Sequence, residues 1–224
     1  MVNIKPIAII PARGNSKRLP RKNILPWKGI PLVGHCISNA LSSGVFSDVI
    51  VSSEDQEILE ISNSFGAKPL KREANLSNDR STVAEVCLNI VSKYKNIQTF
   101  CCIYPTAVKL GSETLRKSFE TFQTNKNCDF LMGVSLYNYP PQQALIQNDN
   151  NNLVLLSPEF ENIQSQLYKE CFVSNGTFYW AKKLVFLKQK NFYGKNLKPF
   201  VVDESQVSDI NTPNDYKILL KSQN

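Results

Sequence analysis

Five cations fall within ten residues near the start of the chain: Arg13, Lys17, Arg18, Arg21 and Lys22. They directly follow a short apolar run, Ile7–Ile10, which reads as a buried strand, and Gly14, Ser16, Pro20 and Asn23 are set among them. Positive charge gathered on a polar loop is chemistry for an anion. Gly14 can take a positive φ and let the backbone approach a ligand. Ser16 can donate a hydrogen bond, and Lys17 can meet a phosphate as a point charge. The spacing is neither the P-loop GxxxxGK[ST] nor GxGxxG, so side-chain charge, more than helix-terminal amides, would grip a phosphate. The other reading is a solvated basic loop or a nucleic-acid patch. The ordered mix of Arg, Ser, Lys, Arg and Asn at the carboxyl end of a strand favours a small-molecule site.

The bulk numbers bound the rest. A chain of 224 residues holds one sizeable core, or one domain with an insertion. The net charge of +7 calls for an acidic partner, but outside the opening loop the cations are scattered between acids, so no nucleic-acid partner is expected. Six cysteines (Cys36, Cys87, Cys101, Cys102, Cys128 and Cys171) form no CxxC pair, and His35 is the only histidine, so a Cys/His zinc site is not expected. The cysteines sit in apolar surroundings and read as small hydrophobes in a reducing cytosol. MVNIKPIAII lacks the form of a signal peptide. No stretch approaches the roughly 20 apolar residues that span a bilayer, so no membrane partner is expected.

The elements that must carry the loop follow from periodicity. Strands are predicted at Ile7–Ile10, Asp48–Ser52, Phe100–Tyr104, Phe130–Val134, Thr177–Trp180 and Phe200–Val202. Helices are predicted at Leu32–Leu41, Asp55–Phe65, Val83–Tyr94, Glu113–Phe122 and Pro213–Leu220. Alternation of the two, with near-continuous apolar strands, indicates a doubly wound, mostly parallel α/β sheet covered on both faces. Ligands of such sheets bind beyond the carboxyl ends of the strands, which is where the basic loop falls. Residues of about 135–175, rich in Asn, Gln, Tyr and Pro, break the rhythm. They read as an insertion, expected to be a β-rich arm because Leu153–Leu156 and the aromatics need burial.

PARGNSKRLPRKN closely resembles the PARGGSKxxPxKN signature of the acylneuraminate cytidylyltransferases, and the resemblance runs over most of the chain. DVIVSSEDQEI, KREANLSNDRST, NGTFYW and SDINTPNDY each resemble a segment of that family. CCIYPTA and the SQ…GTFYW spacing are most similar to the branch acting on pseudaminic acid. The resemblance implies a single Rossmann-like domain of the nucleotide-diphospho-sugar transferase type over residues 1–224. It also implies CTP and an acidic nine-carbon keto sugar as substrates, Mg²⁺ as cofactor, and a homodimer built through the 135–175 arm. It places Arg13, Gly14, Ser16, Lys17, Arg21, Asn23, Arg72, Asp79 and Ser81 at CTP, with Lys17, Arg13 and Asp209 catalytic. Arg72 reads otherwise as an exposed cation beside a helix, and Asp79 equally well as an N-cap for the helix near Val83. His35 reads as structural.

Two departures stand out. The family's metal-binding segment reads Asp-Ile-Asp; here Asp209 is followed two residues on by Asn211, which can reach the ion only as a neutral amide, and Asp215 reads as a first-turn helix acid. On the sugar side the branch carries arginines where this chain has Gln142-Gln143 and Gln164. Gln143, Gln164, Asn175, Phe178 and Tyr179 remain the sugar-binding candidates, with Lys109 or Lys169 as alternative partners for the sugar carboxylate. The departures leave open a catalytically weakened or non-enzymatic nucleotide-binding protein of the same fold, and an eight-carbon sugar acid as substrate fits the opening motif less well.

Overall fold

A computed structural model describes residues 4–222. In chain order the elements are β1 (Ile7–Pro11), the short strands β2 (Pro26–Trp27) and β3 (Ile30–Pro31), α1 (Leu32–Ser42), β4 (Asp48–Ser53), α2 (Gln56–Ser64) and β5 (Lys68–Lys71). There follow α3 (Val83–Lys93), β6 (Thr99–Ile103), α4 (Ser112–Thr124), β7 (Phe130–Leu136), β8 (Leu145–Gln147) and β9 (Leu153–Leu155). The chain closes with β10 (Phe172–Lys182), α5 (Lys183–Gln189), β11 (Leu197–Val201) and α6 (Pro213–Lys221).

Seven strands form one sheet in the order β11-β7-β10-β6-β1-β4-β5. All run parallel except β10, which lies antiparallel between β6 and β7. The alternation of side chains along each strand divides the core in two. Ala8 and Ile10 of β1 face a cluster that takes in α1, α2 and α4, whereas Ile7 and Ile9 face the other side with Val86, Cys87 and Ile90 of α3 and Phe186 of α5. The apolar, doubly covered sheet predicted from the strand runs is therefore present. All six cysteines are free, and five are buried. Among the described residues no helix is long and apolar enough to cross a membrane.

Three elements lie outside the sequence pattern. β5 has the sequence KPLK and is the edge of the sheet, where lysine and proline replace the apolar run of a central strand. The β2–β3 hairpin is two residues a side, too short for a period to register. α5 is a single two-turn helix running on directly from β10.

The 135–175 region departs further from expectation. β7 runs to Leu136 and β10 starts at Phe172, so the sheet claims both ends of it. What remains holds only the β8–β9 hairpin and short 3-10 turns. Burial of Leu153–Leu156 is not achieved within the chain: Leu153 is 68% and Leu156 56% exposed, because the hairpin pairs only with itself.

At the other end, α6 is fixed by a capping box. Thr212 Oγ1 accepts from the Asp215 amide at 3.3 Å, and Asp215 Oδ2 accepts from the amides of Thr212 at 2.8 Å and Asn211 at 2.9 Å. Asp215 is thus the first-turn acid that its position predicted, and those backbone bonds hold its carboxyl below the usual range. The same carboxylate fixes the backbone of Asn211. Thr212→Ala is expected to cost about 1 kcal/mol of unfolding free energy. Thermal or urea unfolding checks this, and an unchanged midpoint would mean the cap contributes nothing.

Candidate functional site

The loop after β1 is held from beneath by two acids at the end of β4. Glu54 Oε1 accepts from the Gly14 amide at 2.7 Å and the Asn15 amide at 3.4 Å. Those amides are therefore spent on a carboxylate, which leaves side chains to meet any anion. Gly14 does not take the positive φ expected of it. Glycine is needed there because a Cβ would lie 2.6 Å from an Asp55 carboxylate oxygen. The residue in the left-handed region is Arg21, at φ 56°.

That twist sorts two neighbouring cations. Arg21 turns back to pair with Asp55 and Glu57 at the start of α2, whereas Lys22 points the other way, its Nζ donating to the Ile210 carbonyl at 2.7 Å. Arg21 was expected beside the ligand; Lys22 is the one that lines the cleft. Burial pushes the Lys22 ammonium down from its ordinary value, with Asp209 opposing.

The cleft lies beyond the carboxyl ends of β1, β5 and β6 and measures about 280 Å³. Arg13, Arg18, Lys22 and Arg72 line it, against one carboxylate, Asp79. Arg72 is 8% exposed, so it is not the surface cation that its neighbours in sequence permit. Its guanidinium donates to the Ser52 carbonyl at 2.6 Å and to Ser52 Oγ at 3.3 Å, and Glu54 Oε2 stands 3.9 Å away. Burial lowers its pKa while Glu54 raises it. Asn23 is 2% exposed; its Nδ2 donates to the Arg13 carbonyl at 2.8 Å, and its Oδ1 is buried without a partner. An orphaned acceptor in the wall of a cleft is costly unless a ligand supplies the donor.

Ser81 also lines the cleft, and Ser16 and Lys17 lie on the loop at its rim. Asp79 is not the cap of α3. Thr82 is, in a capping box with Glu85, and Asp79 instead pairs with Arg13 at 3.1 Å and with Lys17.

Asp209 and Asn211 come together on a segment that is not a strand, the side-chain amide of Asn211 donating to Asp209 Oδ1 at 2.7 Å. Asn211 Oδ1 is taken by Arg18 at 3.0 Å and Lys22 at 3.4 Å, so that oxygen faces cations and not a metal. Among the described residues no group of three or more His, Cys, Asp or Glu side chains could hold an ion. Magnesium commonly needs only one or two protein carboxylates when phosphates supply other ligands. Asp209 is the exposed carboxylate available for that smaller role; it lines a neighbouring cavity and is joined to the cleft through Asn211.

The sugar-side candidates scatter. Gln143 and Gln164 are exposed on the arm and line neither this cleft nor its neighbour. Phe178 is fully buried in the core. Asn175 is tied to Ser135 and Thr177, in a bulge where four residues of β10 stand opposite Gly133. Tyr179 alone reaches a cavity, of about 600 Å³, which abuts the cleft and shares Thr82, Val83 and Tyr104 with it. Lys190, Phe192 and Tyr193 complete its far wall. Nothing in the sequence pattern singles out these three, because α5, the helix that leads to them, lies outside it. Burial pushes the hydroxyls of Tyr104 and Tyr179 up, so both stay neutral donors. Lys109 lines a separate cavity together with Asp209, and Lys169 lies on the arm.

A family model described as Cytidylyltransferase matches residues 7–199. A pseudaminic acid cytidylyltransferase of Campylobacter jejuni is 35% identical, with 97% of each chain covered. A CMP-N,N'-diacetyllegionaminic acid synthase of Legionella pneumophila is 30% identical over 96% of this chain and 94% of its own. Among solved structures, a CMP:2-keto-3-deoxy-manno-octonic acid synthetase complexed with CTP superposes with a TM-score of 0.74 at 15% identity, covering 97% of this chain and 98% of that one. At that identity the likeness speaks for the fold.

Glu54 is the residue on which the loop's geometry turns. Glu54→Ala frees two loop amides and leaves the buried Arg72 without a carboxylate. It is expected to cost about 1–3 kcal/mol in stability and to speed amide exchange at Gly14 and Asn15 selectively. Exchange unchanged at those two amides would remove Glu54 from this role.

Proposed function

The chain belongs to the cytidylyltransferase family, and from that premise we propose that it joins CTP to an acidic nine-carbon keto sugar, of the pseudaminic, legionaminic or sialic type, releasing pyrophosphate. The observation that carries this is a cation-lined cleft sharing a wall with an aromatic cavity, at the carboxyl edge of the sheet.

In this reading the nucleotide takes the cleft. Arg13, Lys17, Lys22 and Arg72 meet the triphosphate, with Ser16 and Ser81 as hydroxyl donors. Asn23 Oδ1 finds its missing donor on the base or the ribose. The sugar takes the cavity of Tyr104, Tyr179, Phe192 and Tyr193, where rings pack on its carbon skeleton and Lys190 pairs with its carboxylate. The shared wall brings the sugar's anomeric hydroxyl against the α-phosphorus. The new O–P bond forms there as pyrophosphate departs. Fixed cations around the phosphoryl oxygens stabilise such a transition state, and Lys22, desolvated and short of anionic partners, is the strongest of them. Asp209, with phosphate oxygens, would hold Mg²⁺, which adds charge neutralisation on the triphosphate when bound.

The enzyme would act in the cytosol, in keeping with its six free cysteines, and as a homodimer. Apolar side chains left exposed on and beside the arm, among them Tyr139, Leu145, Leu153 and Leu167, support the dimer. In that assembly Gln143 and Gln164 would serve the partner's sugar pocket. The family's arginines at these places are absent, which favours Lys190 for the sugar carboxylate.

Pyrophosphate release, measured with each of the four nucleoside triphosphates against sialic, legionaminic and pseudaminic acids, tests the reaction. Turnover with CTP and one of these acids is expected, and binding of CTP with no turnover on any acid would favour the non-enzymatic alternative. Lys22→Ala is expected to lower kcat by on the order of 10²–10³, with the fold intact. Phe192→Ala is expected to raise KM for the sugar and leave that for CTP unchanged; the reverse pattern would reassign the cavity.

A further inference from the structure

We infer that Asp79 holds the place of a phosphate group between Arg13 and Lys17, and surrenders it when the triphosphate enters. The inference rests on the reading of the basic loop as a triphosphate site. Asp79 Oδ1 stands 3.1 Å from Arg13 Nη1, and Lys17 pairs with the second oxygen. One carboxylate thus bridges two cations from a different loop, as a phosphate with two anionic oxygens would. Among the described residues it is also the sole carboxylate lining the cleft, which Arg13, Arg18, Lys22 and Arg72 line as well. An acid so placed cannot itself bind a phosphate, because like charges repel. It either leaves or it competes.

The turn carrying Asp79 is held by bonds of its own, so the carboxylate can let go of its partners without disturbing the sheet. Asn78 Oδ1 accepts from the amides of Arg80 at 2.8 Å and Ser81 at 3.1 Å, while Asn78 Nδ2 and Ser81 Oγ donate to the Asn75 carbonyl at 2.7 and 3.1 Å. The turn is therefore bonded to itself. Among the described residues, the hydrogen bond from residues 74–81 to the basic loop runs through Asp79. Its partners are accessible: the side chains of Asp79 and Lys17 are 46% and 79% exposed, so the pair is weakly held and a more highly charged anion displaces it.

The device serves both states. Without nucleotide, Arg13 and Lys17 would repel each other and spread; Asp79 keeps them converged. With nucleotide, the carboxylate gives way to the phosphate, and the same two cations are already in place.

Calorimetric titration of CTP and CMP into the wild type, Asp79→Asn and Lys17→Ala, with no sugar present, tests this. Asp79→Asn is expected to bind CTP about two- to fivefold more tightly, with CMP, which lacks the outer phosphates, unaffected. The gain should shrink as salt is raised. CTP affinity that is unchanged or weaker in Asp79→Asn would overturn the inference and make Asp79 a bystander or a direct support of the ligand. Lys17→Ala separates the two levels of the argument. Weaker CTP binding with CMP unchanged is expected, and wild-type CTP binding in that variant would sink the triphosphate reading itself.

Discussion

A guanidinium buried at the end of a sheet is the constraint around which this molecule is arranged. Charge removed from water is costly unless hydrogen bonds and an opposite charge compensate it. Arg72 is compensated from one side only. Ser52 takes two of its donors, and Glu54 stands close without a hydrogen bond, its Oε2 buried and unpartnered. The remaining face of Arg72 lines the cleft. Because Glu54 spends its other oxygen on the amides of Gly14 and Asn15, the position of Arg72 and the path of the basic loop are set by one side chain. The sheet, by pairing β4 with both β1 and β5, fixes where that side chain stands.

The rest of the site extends the same under-compensation. Lys22 is desolvated and meets a carbonyl and an amide, not a carboxylate. Asn23 has an acceptor with nothing to accept. In a core such groups would be faults. In a cleft they are stored demand for a ligand that is anionic at one end and offers donors at the other, and a nucleoside triphosphate has both.

How much of this the sequence disclosed depends on the range of the physics involved. The parallel sheet and its covering helices were legible because strand and helix periods are local and apolar. The basic loop was legible because its cations are contiguous. Which of them faces the ligand was not: Arg21 and Lys22 are adjacent and alike in charge, and a single positive φ sends them to opposite sides. β5 and the β2–β3 hairpin were invisible because edge strands and two-residue strands carry little pattern. Phe178 and Tyr179 looked equivalent, and strand alternation puts one in the core and the other in the cavity. The exposed apolar arm has no counterpart among the described residues to explain its side chains, so composition alone could not locate its glutamines.

Asn211 puts a neutral amide where the resemblance expects an acid, and its contacts show what that amide does. An aspartate there would sit within reach of Arg18, Lys22 and Asp209 at once. It would draw both cations onto itself and crowd a second carboxylate against the first, which raises the pKa of one of them. The amide avoids both. Its oxygen orients Arg18 and Lys22 without neutralising them, and its nitrogen donates to Asp209 without displacing a cation from it. The positive charge of the cleft is left for the ligand. In the fold Asn211 stands as a neutral spacer between Arg18 and Lys22 on one side and Asp209 on the other.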